Sequence, residues 1–365
     1  MSEMTQKERW MKTINMEPVD RLIFWPKIFN AYAPAQQSPF DRMTVDELHQ
    51  YWGCDMRVFI PGYINIANRN ASKEIINNND ELTEIYKTQY GEMKKVSKFD
   101  RASQSWHPVV MPINNLEDIK MMTAFYNDIV VTLDNDALED AKSFVKTIGQ
   151  TPLTIEGIGT SPLMHYIEWL AGIENGHYFL YDYPDAVEEL FAAMHGVQKA
   201  RTEIAAMKSP ADLLHLTENT STTLISVAQY EMYCFRHVND YTDIIKNAGG
   251  KVELHMCGHL KQLLPMLSKL RADVFEAFTS PPLGDTTLLD GRIACPDTCL
   301  LGGTDATLWM KSAGAIIEQI EHDLDELPHH RGIALSPAGI MTPLCVPETI
   351  KAVCEWIKSY KRLRF

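Results

Sequence analysis

The chain has 365 residues, of which 45% are hydrophobic and 22% charged; this is enough apolar material for a large core and excludes a disordered composition. Its 34 Lys and Arg residues against 48 Asp and Glu residues give a formal net charge of −14, which argues against nucleic acid or an anionic membrane as a partner. Its seven cysteines are an odd number, which favours reduced thiols, some of them metal ligands, over a disulfide framework.

The amino-terminal third predicts irregular structure. Its first nine residues carry charges where a secretory signal needs an apolar run, and no apolar run in the chain approaches the roughly 18 residues of a membrane helix, so we expect a cytoplasmic protein. An amphipathic helix is expected at about 5–15, and the run Leu22–Trp25, which Pro26 ends, reads as a strand. Between 30 and 125 we expect a short helix near 44–51, aromatic-rich strands near 56–66 and 83–90, and a helix after Asn115.

From about residue 150 strands and helices alternate. Strands are predicted at 152–158, 212–217, 251–256, 273–278, 299–303 and 332–336. Helices are predicted at 163–175, 184–208, 226–248, 259–271, 310–326 and 347–361. Strict alternation is typical of parallel strands joined by crossover helices. The pattern predicts an α/β fold, a (β/α)8 TIM-type barrel with an N-terminal helical extension, forming a single domain over 1–365 with an irregular part at about 1–125.

Polar residues follow most of the predicted strands. They lie at 156–160, 218–221, 255–257, 276–278, 302–305 and 336–345. In a barrel the carboxyl ends of all strands meet at one rim, which carries the function. We therefore expect these segments to line one site.

The most specific of these segments is His255-Met256-Cys257-Gly258. Alternation along a strand puts His255 and Cys257 on one face. An imidazole and a thiolate that converge in this way supply half of a tetrahedral zinc site. The other interpretation is a buried strand with a polar His and a small apolar Cys.

Several segments together carry a resemblance to a known family. They are Asp20-Arg21, Glu218–Ser221, His255–Leu260, Glu276–Thr286 and Leu301–Asp305. The chain resembles the uroporphyrinogen decarboxylase superfamily and, more narrowly, its corrinoid-dependent (cobamide) methyltransferase branch. The decarboxylases themselves carry an N-terminal Arg-Gln-Ala-Gly-Arg signature for substrate carboxylates, whereas the matching segment here, 24–31, lacks the basic pair, which argues against that reaction.

The resemblance implies a zinc site and a protein-bound cofactor. In the branch that it points to, zinc is held by His-x-Cys and a distant cysteine, and the methyl group is exchanged with the corrinoid of a separate protein. His255 and Cys257 match directly. The family's distant cysteine falls where this chain has 338–340, so the nearest thiol is Cys345. In the competing interpretation Cys345 is a packed residue at a helix entry and a carboxylate is the third ligand. Glu218 is the first candidate for that ligand, and Glu276 and Asp305 follow.

Other residues at the rim are candidates for catalysis or substrate binding. Glu218, His259 and Asp305 are the catalytic candidates, although each could instead be a loop residue or a helix cap. The candidates for substrate binding are Trp25, Phe29, Tyr63 and Asn219, although aromatic residues in this region are more often core.

The resemblance leads us to expect a zinc-dependent methyltransferase that moves a methyl group from a small methylated donor, such as a methoxylated aromatic, to the Co(I) corrinoid of a partner protein. The alternatives are methyl-cobamide:thiol transfer of the coenzyme M type, a metal-free decarboxylase-like lyase, and a non-catalytic barrel that binds a corrinoid. The expected partners are the small substrate and the corrinoid protein, without nucleic acid or membrane, and we allow for a homodimer.

Overall fold

Eight parallel strands form the centre of the fold in the computed structural model, which describes residues 3–29, 31–101 and 105–365. They are β1 (Ile23–Phe24), β2 (Arg57–Phe59), β3 (Leu153–Gly159), β4 (Leu213–Thr217), β5 (Val252–His255), β6 (Val274–Phe278), β7 (Cys299–Thr304) and β8 (Ile333–Pro337). Their order in the sheet is β1-β8-β7-β6-β5-β4-β3-β2. The two ends of this order meet where the Asp55 N–H donates to the Phe24 carbonyl at 3.0 Å. The predicted (β/α)8 TIM-type fold is confirmed.

Helices surround the sheet. The α-helices are Gln6–Ile14, Val45–Trp52, Leu116–Asn127, Asn135–Ile148, Pro162–His165, Ile173–Asp182, Pro184–Lys208, Val227–Gln229, Arg236–Asn247, Leu264–Leu267, Leu288–Ala294, Ala313–Glu326 and Pro347–Ser359. The described residues also form two π-helical turns, Tyr166–Leu170 and Tyr230–Phe235, and three 3-10 turns, Ala33–Ala35, Phe40–Arg42 and Leu308–Met310. In the described parts of the chain no helix is long and apolar enough to cross a membrane.

The prediction of a helix at 259–271 is largely wrong. After β5 only Leu264–Leu267 is α-helical, and the residues before it form turns. Pro265 explains this, because it lacks the backbone N–H that would extend a longer helix through this point.

The first helix closes the amino-terminal end of the barrel. Its Trp10 and Ile14 belong to one buried cluster with Leu153, Leu213 and Val274, which lie at or near the starts of three barrel strands. The bottom of the barrel is therefore an apolar core, as in other barrels of this kind.

Asp20 and Arg21 lie at this same end of the barrel. Arg9 donates to Asp20 through Nε at 2.7 Å, and Arg21 donates to Asp55 through Nη1 at 2.7 Å. Asp55 also accepts from the Phe24 N–H at 3.1 Å. These part-buried ion pairs tie the first helix to β1 and β2, so Asp20 and Arg21 have a structural role far from the carboxyl ends of the strands.

An antiparallel insertion separates β2 from β3. Strands Ile64–Asn68 and Ile129–Leu133 form one pair, and Ser72–Asn78, Glu81–Thr88, Gly91–Asp100 and Ser105–Val110 form a four-stranded sheet. Most of this insertion was not predicted, because Ser72–Asn78 is exposed at every residue and shows no alternation of apolar and polar positions.

Candidate active site at the mouth of the barrel

A cavity of about 510 Å³ opens at the carboxyl ends of the barrel strands. One side of it is polar and includes His255, Cys257 and Glu276. The remaining wall is mostly apolar and includes Trp25, Phe29, Phe59, Ile155 and Ile340. The structure thus brings His255 and Cys257 into one cavity at the rim where parallel barrels carry their function.

The register of the sheet positions His255. It lies opposite Thr217 on β4 and Glu276 on β6. Its Nδ1 contacts Oε2 of Glu276, whose Oε1 accepts from Nζ of Lys27 at 2.8 Å. All three side chains are buried. Although burial opposes its ionisation, the charge of Lys27 and the hydrogen bond from His255 hold the pKa of Glu276 well below its usual range.

This arrangement fixes the tautomer of His255. A carboxylate can only accept hydrogen bonds, so its contact with Nδ1 requires the proton on that nitrogen. The Nε2 atom then keeps its lone pair. A metal-binding histidine in proteins is typically oriented in this way, with one nitrogen bonded to a carboxylate and the other free for the metal.

Cys257 continues the alternation of β5 beyond the end of the strand. Its Sγ lies 3.4 Å from Oδ1 of Asn219, and burial raises the pKa of its thiol. With the free nitrogen of His255, it offers one nitrogen and one sulfur ligand to the same cavity. These two residues fit half of the donor set of a zinc site with open positions.

Cys345 does not line the cavity that holds this pair. It is 2% exposed, belongs to the main hydrophobic core, and its backbone carbonyl accepts a 2.5 Å hydrogen bond from the Tyr32 hydroxyl. Burial raises the pKa of its thiol to about 12. These contacts favour the packed residue at a helix entry, and Cys345 as the third zinc ligand stays a prediction. The positions where the family carries its cysteine bring Gly339 and Ile340 to the cavity.

Glu218 points out of the barrel. Thr217 faces the cavity, so alternation turns the next side chain to the outer face of β4. There its carboxylate accepts from the Ser161 N–H at 2.7 Å and from the Cys234 thiol at 3.6 Å, and burial raises its pKa. Glu218 holds the loop after β3, and it does not lie among the cavity residues. Glu276 is the carboxylate that contacts His255.

Asp305 and His259 are placed at local turns. Asp305 accepts from the backbone N–H groups of Thr307 at 2.7 Å and Leu308 at 3.3 Å, so it caps the turn that follows β7. The ring of His259 is partly exposed and lies 3.8 Å from the carboxylate of Asp285. Neither side chain lines the mouth cavity. The cap formed by Asp305 agrees with the plainer of its two predicted roles, and a catalytic role for either residue stays a prediction.

The four predicted substrate-binding residues divide into two groups. Trp25 and Phe29 line the cavity. Tyr63 is buried and donates to Glu156 at 2.7 Å outside it. Asn219 reaches the site indirectly, by accepting from Cys257 and donating through Nδ2 to Glu168 at 3.2 Å.

Charged residues deeper in the barrel were missed by the sequence analysis. Glu253 accepts from Nη2 of Arg57 at 2.5 Å and contacts Nδ1 of His215 at 2.6 Å. Potential ligand atoms of His215, Glu253 and Glu276 lie within 4.8 Å of one another. Arg57 and Lys27 already neutralise the two carboxylates, so this group is a compensated ionic network. The sequence signal for this network was Glu253. It precedes His255 by two positions and Cys257 by four, so all three side chains lie on one face of the strand.

The chain is similar to one protein family and to solved structures of other proteins. A model of the family described as Uroporphyrinogen decarboxylase (URO-D) matches residues 108–360. A methyltransferase from Methanosarcina mazei is similar over 98% of this chain and 99% of its own, with 14% identity and a TM-score of 0.60. A B12-independent methionine synthase from Shewanella sp. W3-18-1 is similar over 93% of this chain and 97% of its own, with 11% identity and a TM-score of 0.49. No curated protein matches the chain.

Proposed function

The chain belongs to the uroporphyrinogen decarboxylase family, and from this premise we propose that it is a zinc-dependent methyltransferase that moves a methyl group from a small methylated donor to the Co(I) corrinoid of a separate protein. His255 and Cys257 would hold the zinc, with the remaining positions taken by a further ligand and by the substrate. The observation that carries the proposal is the contact of His255 with Glu276 in the same cavity that Cys257 lines.

The chemistry requires a better leaving group than an ether oxygen offers. When bound, zinc acts as a Lewis acid that stabilises the charge developing on that oxygen. In the proposed reaction the methyl–oxygen bond would break with its electron pair left on oxygen, and the methyl group would pass to the Co(I) corrinoid of the partner protein, which is the acceptor substrate. The demethylated product takes a proton from water on that oxygen and is then released.

The residues of this chain prepare the site for that step. Glu276 orients the His255 ring and strengthens its free nitrogen as a ligand. Lys27 keeps Glu276 ionised and fixed in place. Trp25 and Phe29 offer apolar surface to the body of the substrate, which displaces water from the cavity.

The cavity supports a methoxylated aromatic as donor. Its walls are mainly apolar and aromatic. A donor set with one thiolate leaves zinc a harder Lewis acid than a set with two, which suits an oxygen substrate better than a thiol. The position of Cys345 in the core therefore favours demethylation of an ether over methylation of a thiol.

A decarboxylase-like reaction on a polycarboxylate has less support. Binding several carboxylates requires cations that are free to pair with them. The two cations that line the mouth cavity within the described ranges, Lys27 and Arg57, form ion pairs with Glu276 and Glu253, so their charges are balanced inside the protein, although Nε and Nη1 of Arg57 have no hydrogen-bond partner.

The proposal is tested by metal analysis and by transfer assays on the full chain. We expect about one zinc per chain and transfer from methoxylated aromatics to free Co(I) cobalamin. His255→Ala and Cys257→Ala should lose both, whereas Cys295→Ser, a substitution of a buried cysteine elsewhere in the fold, should keep them. Full zinc content in both alanine variants would overturn the metal assignment. Transfer from methyl-cobalamin to thiols, without activity on ethers, would instead select the coenzyme M type of reaction.

A further inference from the structure

A second cavity of about 510 Å³ lies beside the barrel. Its walls come from the inserted four-stranded sheet, helix Leu116–Asn127, helix Pro184–Lys208 and the loop that follows β3. Within the described part of the chain, the two cavities share no lining residue. The proposed methyl transfer makes no use of this space.

Two lysines share one carboxylate in the wall of this cavity. Lys73 contacts Oε1 of Glu84, and Nζ of Lys95 lies 2.9 Å from Oε2 of the same residue. Although burial opposes its ionisation, the hydrogen bonds from the two lysines hold the pKa of Glu84 below its usual value. Two ammonium groups therefore face one carboxylate, and each has further N–H donors to offer.

A third cation lies on the barrel side of the cavity. Nη2 of Arg201 donates to the carbonyl of Gly157 at 2.6 Å, which is a neutral acceptor. The carboxylate that balances its charge is Glu156, which accepts a hydrogen bond from Tyr63. A Cβ at Gly159 would come within 3.1 Å of the Arg201 guanidinium, so this glycine permits the close approach. With Lys73 and Lys95 there are three cations against two carboxylates.

The other walls are largely aromatic and apolar. Tyr86, Phe125, Tyr126 and Trp169 all face the cavity, and Nζ of Lys95 lies 4.7 Å from the centre of the Trp169 ring. Burial lowers the pKa of His165 to about 4, so this residue adds no charge at neutral pH. Flat apolar walls beside an uncompensated positive charge suit a planar organic anion.

We propose that this second cavity binds a small aromatic carboxylate, with its ring between the aromatic walls and its carboxylate bound by Lys73 and Lys95. Arg201 contributes positive potential from the opposite wall. The two lysines already stand side by side over Glu84, so the site is formed before the ligand arrives.

Trp169 offers a built-in reporter of occupancy. It lies in the π-helical turn Tyr166–Leu170, next to Glu168, and its indole N–H donates to that carboxylate at 3.0 Å. A ligand ring that packs against a face of the Trp169 indole changes the environment of that indole. Tryptophan fluorescence can therefore detect a ligand here.

Benzoate is the probe that tests the proposal on the full chain. We expect saturable 1:1 binding by calorimetry, together with a change in tryptophan fluorescence that Trp169→Phe removes. Lys95→Met should weaken binding about tenfold, as expected for a lost charge-assisted hydrogen bond. Lys94→Met is the matched control. Lys94 adjoins Lys95 on the same strand, but its side chain is exposed, so this variant should bind benzoate as the wild type does.

Three results would overturn the site. The first is no binding of benzoate, and the second is equal binding of benzyl alcohol, which has the ring without the charge. The third is loss of benzoate binding in His255→Ala, which would place the ligand in the mouth of the barrel. Retained binding in His255→Ala, in contrast, supports the second cavity whether or not the chain transfers methyl groups.

Discussion

Lys27 and Glu276 are 249 positions apart in the chain, yet Nζ of the lysine lies 2.8 Å from Oε1 of the carboxylate. Lys27 follows β1, and Glu276 lies on β6. Both are buried, so neither charge is tolerated without the other. Their pairing holds the carboxylate against His255, and it makes the orientation of the proposed zinc ligand a property of the closed barrel.

Glu276→Gln should reduce zinc affinity about 10- to 100-fold, because the amide no longer strengthens His255 as a ligand. It should also lower the free energy of unfolding by about 3 kcal/mol, since Lys27 is left buried and unpaired. Competition with a chelator measures the first effect, and denaturant unfolding measures the second. The double variant Lys27→Met/Glu276→Gln should recover stability without recovering zinc affinity. Recovery of both would show that Glu276 acts on stability alone.

Cys345→Ala should leave zinc content unchanged and cost about 1 kcal/mol of stability, because a small buried side chain is truncated in the core. Cys257→Ala should give the reverse result. Metal analysis and denaturant unfolding of the two variants together separate a ligand from a packed thiol. A Cys345→Ala protein that retains its fold and loses its zinc would restore Cys345 as the third ligand.

Glu168→Gln should change how stability depends on pH. Burial raises the pKa of Glu168 to about 7, so its folded form prefers the proton, and its contribution to stability is present at low pH and lost as the pH rises through about 7. The neutral glutamine escapes this loss. Its stability relative to the wild type should increase by about 2 kcal/mol between pH 5 and pH 8, measured by unfolding at each pH. A difference that does not vary with pH would contradict the shift.

Phe29→Ala should raise the KM for a methoxylated aromatic several-fold with little effect on stability, because the ring lines the mouth of the cavity and is 46% exposed. Phe365→Ala is the matched control, since this ring is 39% exposed and lies at the far end of the chain. Steady-state kinetics of the two variants gives the comparison. Equal KM values would remove Phe29 from the substrate wall.

The regular part of the barrel could be predicted closely. Strands β3 to β8 lie within one or two residues of their predicted ranges, because buried parallel strands are apolar runs bounded by polar turns. The inserted sheet could not be predicted in the same way. Its strand Ser72–Asn78 is exposed at every residue, although Lys73 also lines the second cavity, and it is held by hydrogen bonds to Glu81–Thr88, so its pairing leaves no pattern in its own residues.

The sequence by itself determined that His255 and Cys257 share a face, because alternation along a strand is a local rule of backbone geometry. Only the tertiary structure decided which carboxylate meets them. Sheet register sets Glu276 opposite His255, and the alternation of side chains along β4 turns Glu218 outward toward Ser161. The tertiary structure likewise decided the place of Cys345. The course of a loop depends on the residues that it packs against, and the loop that contains Cys345 contacts the buried Tyr32.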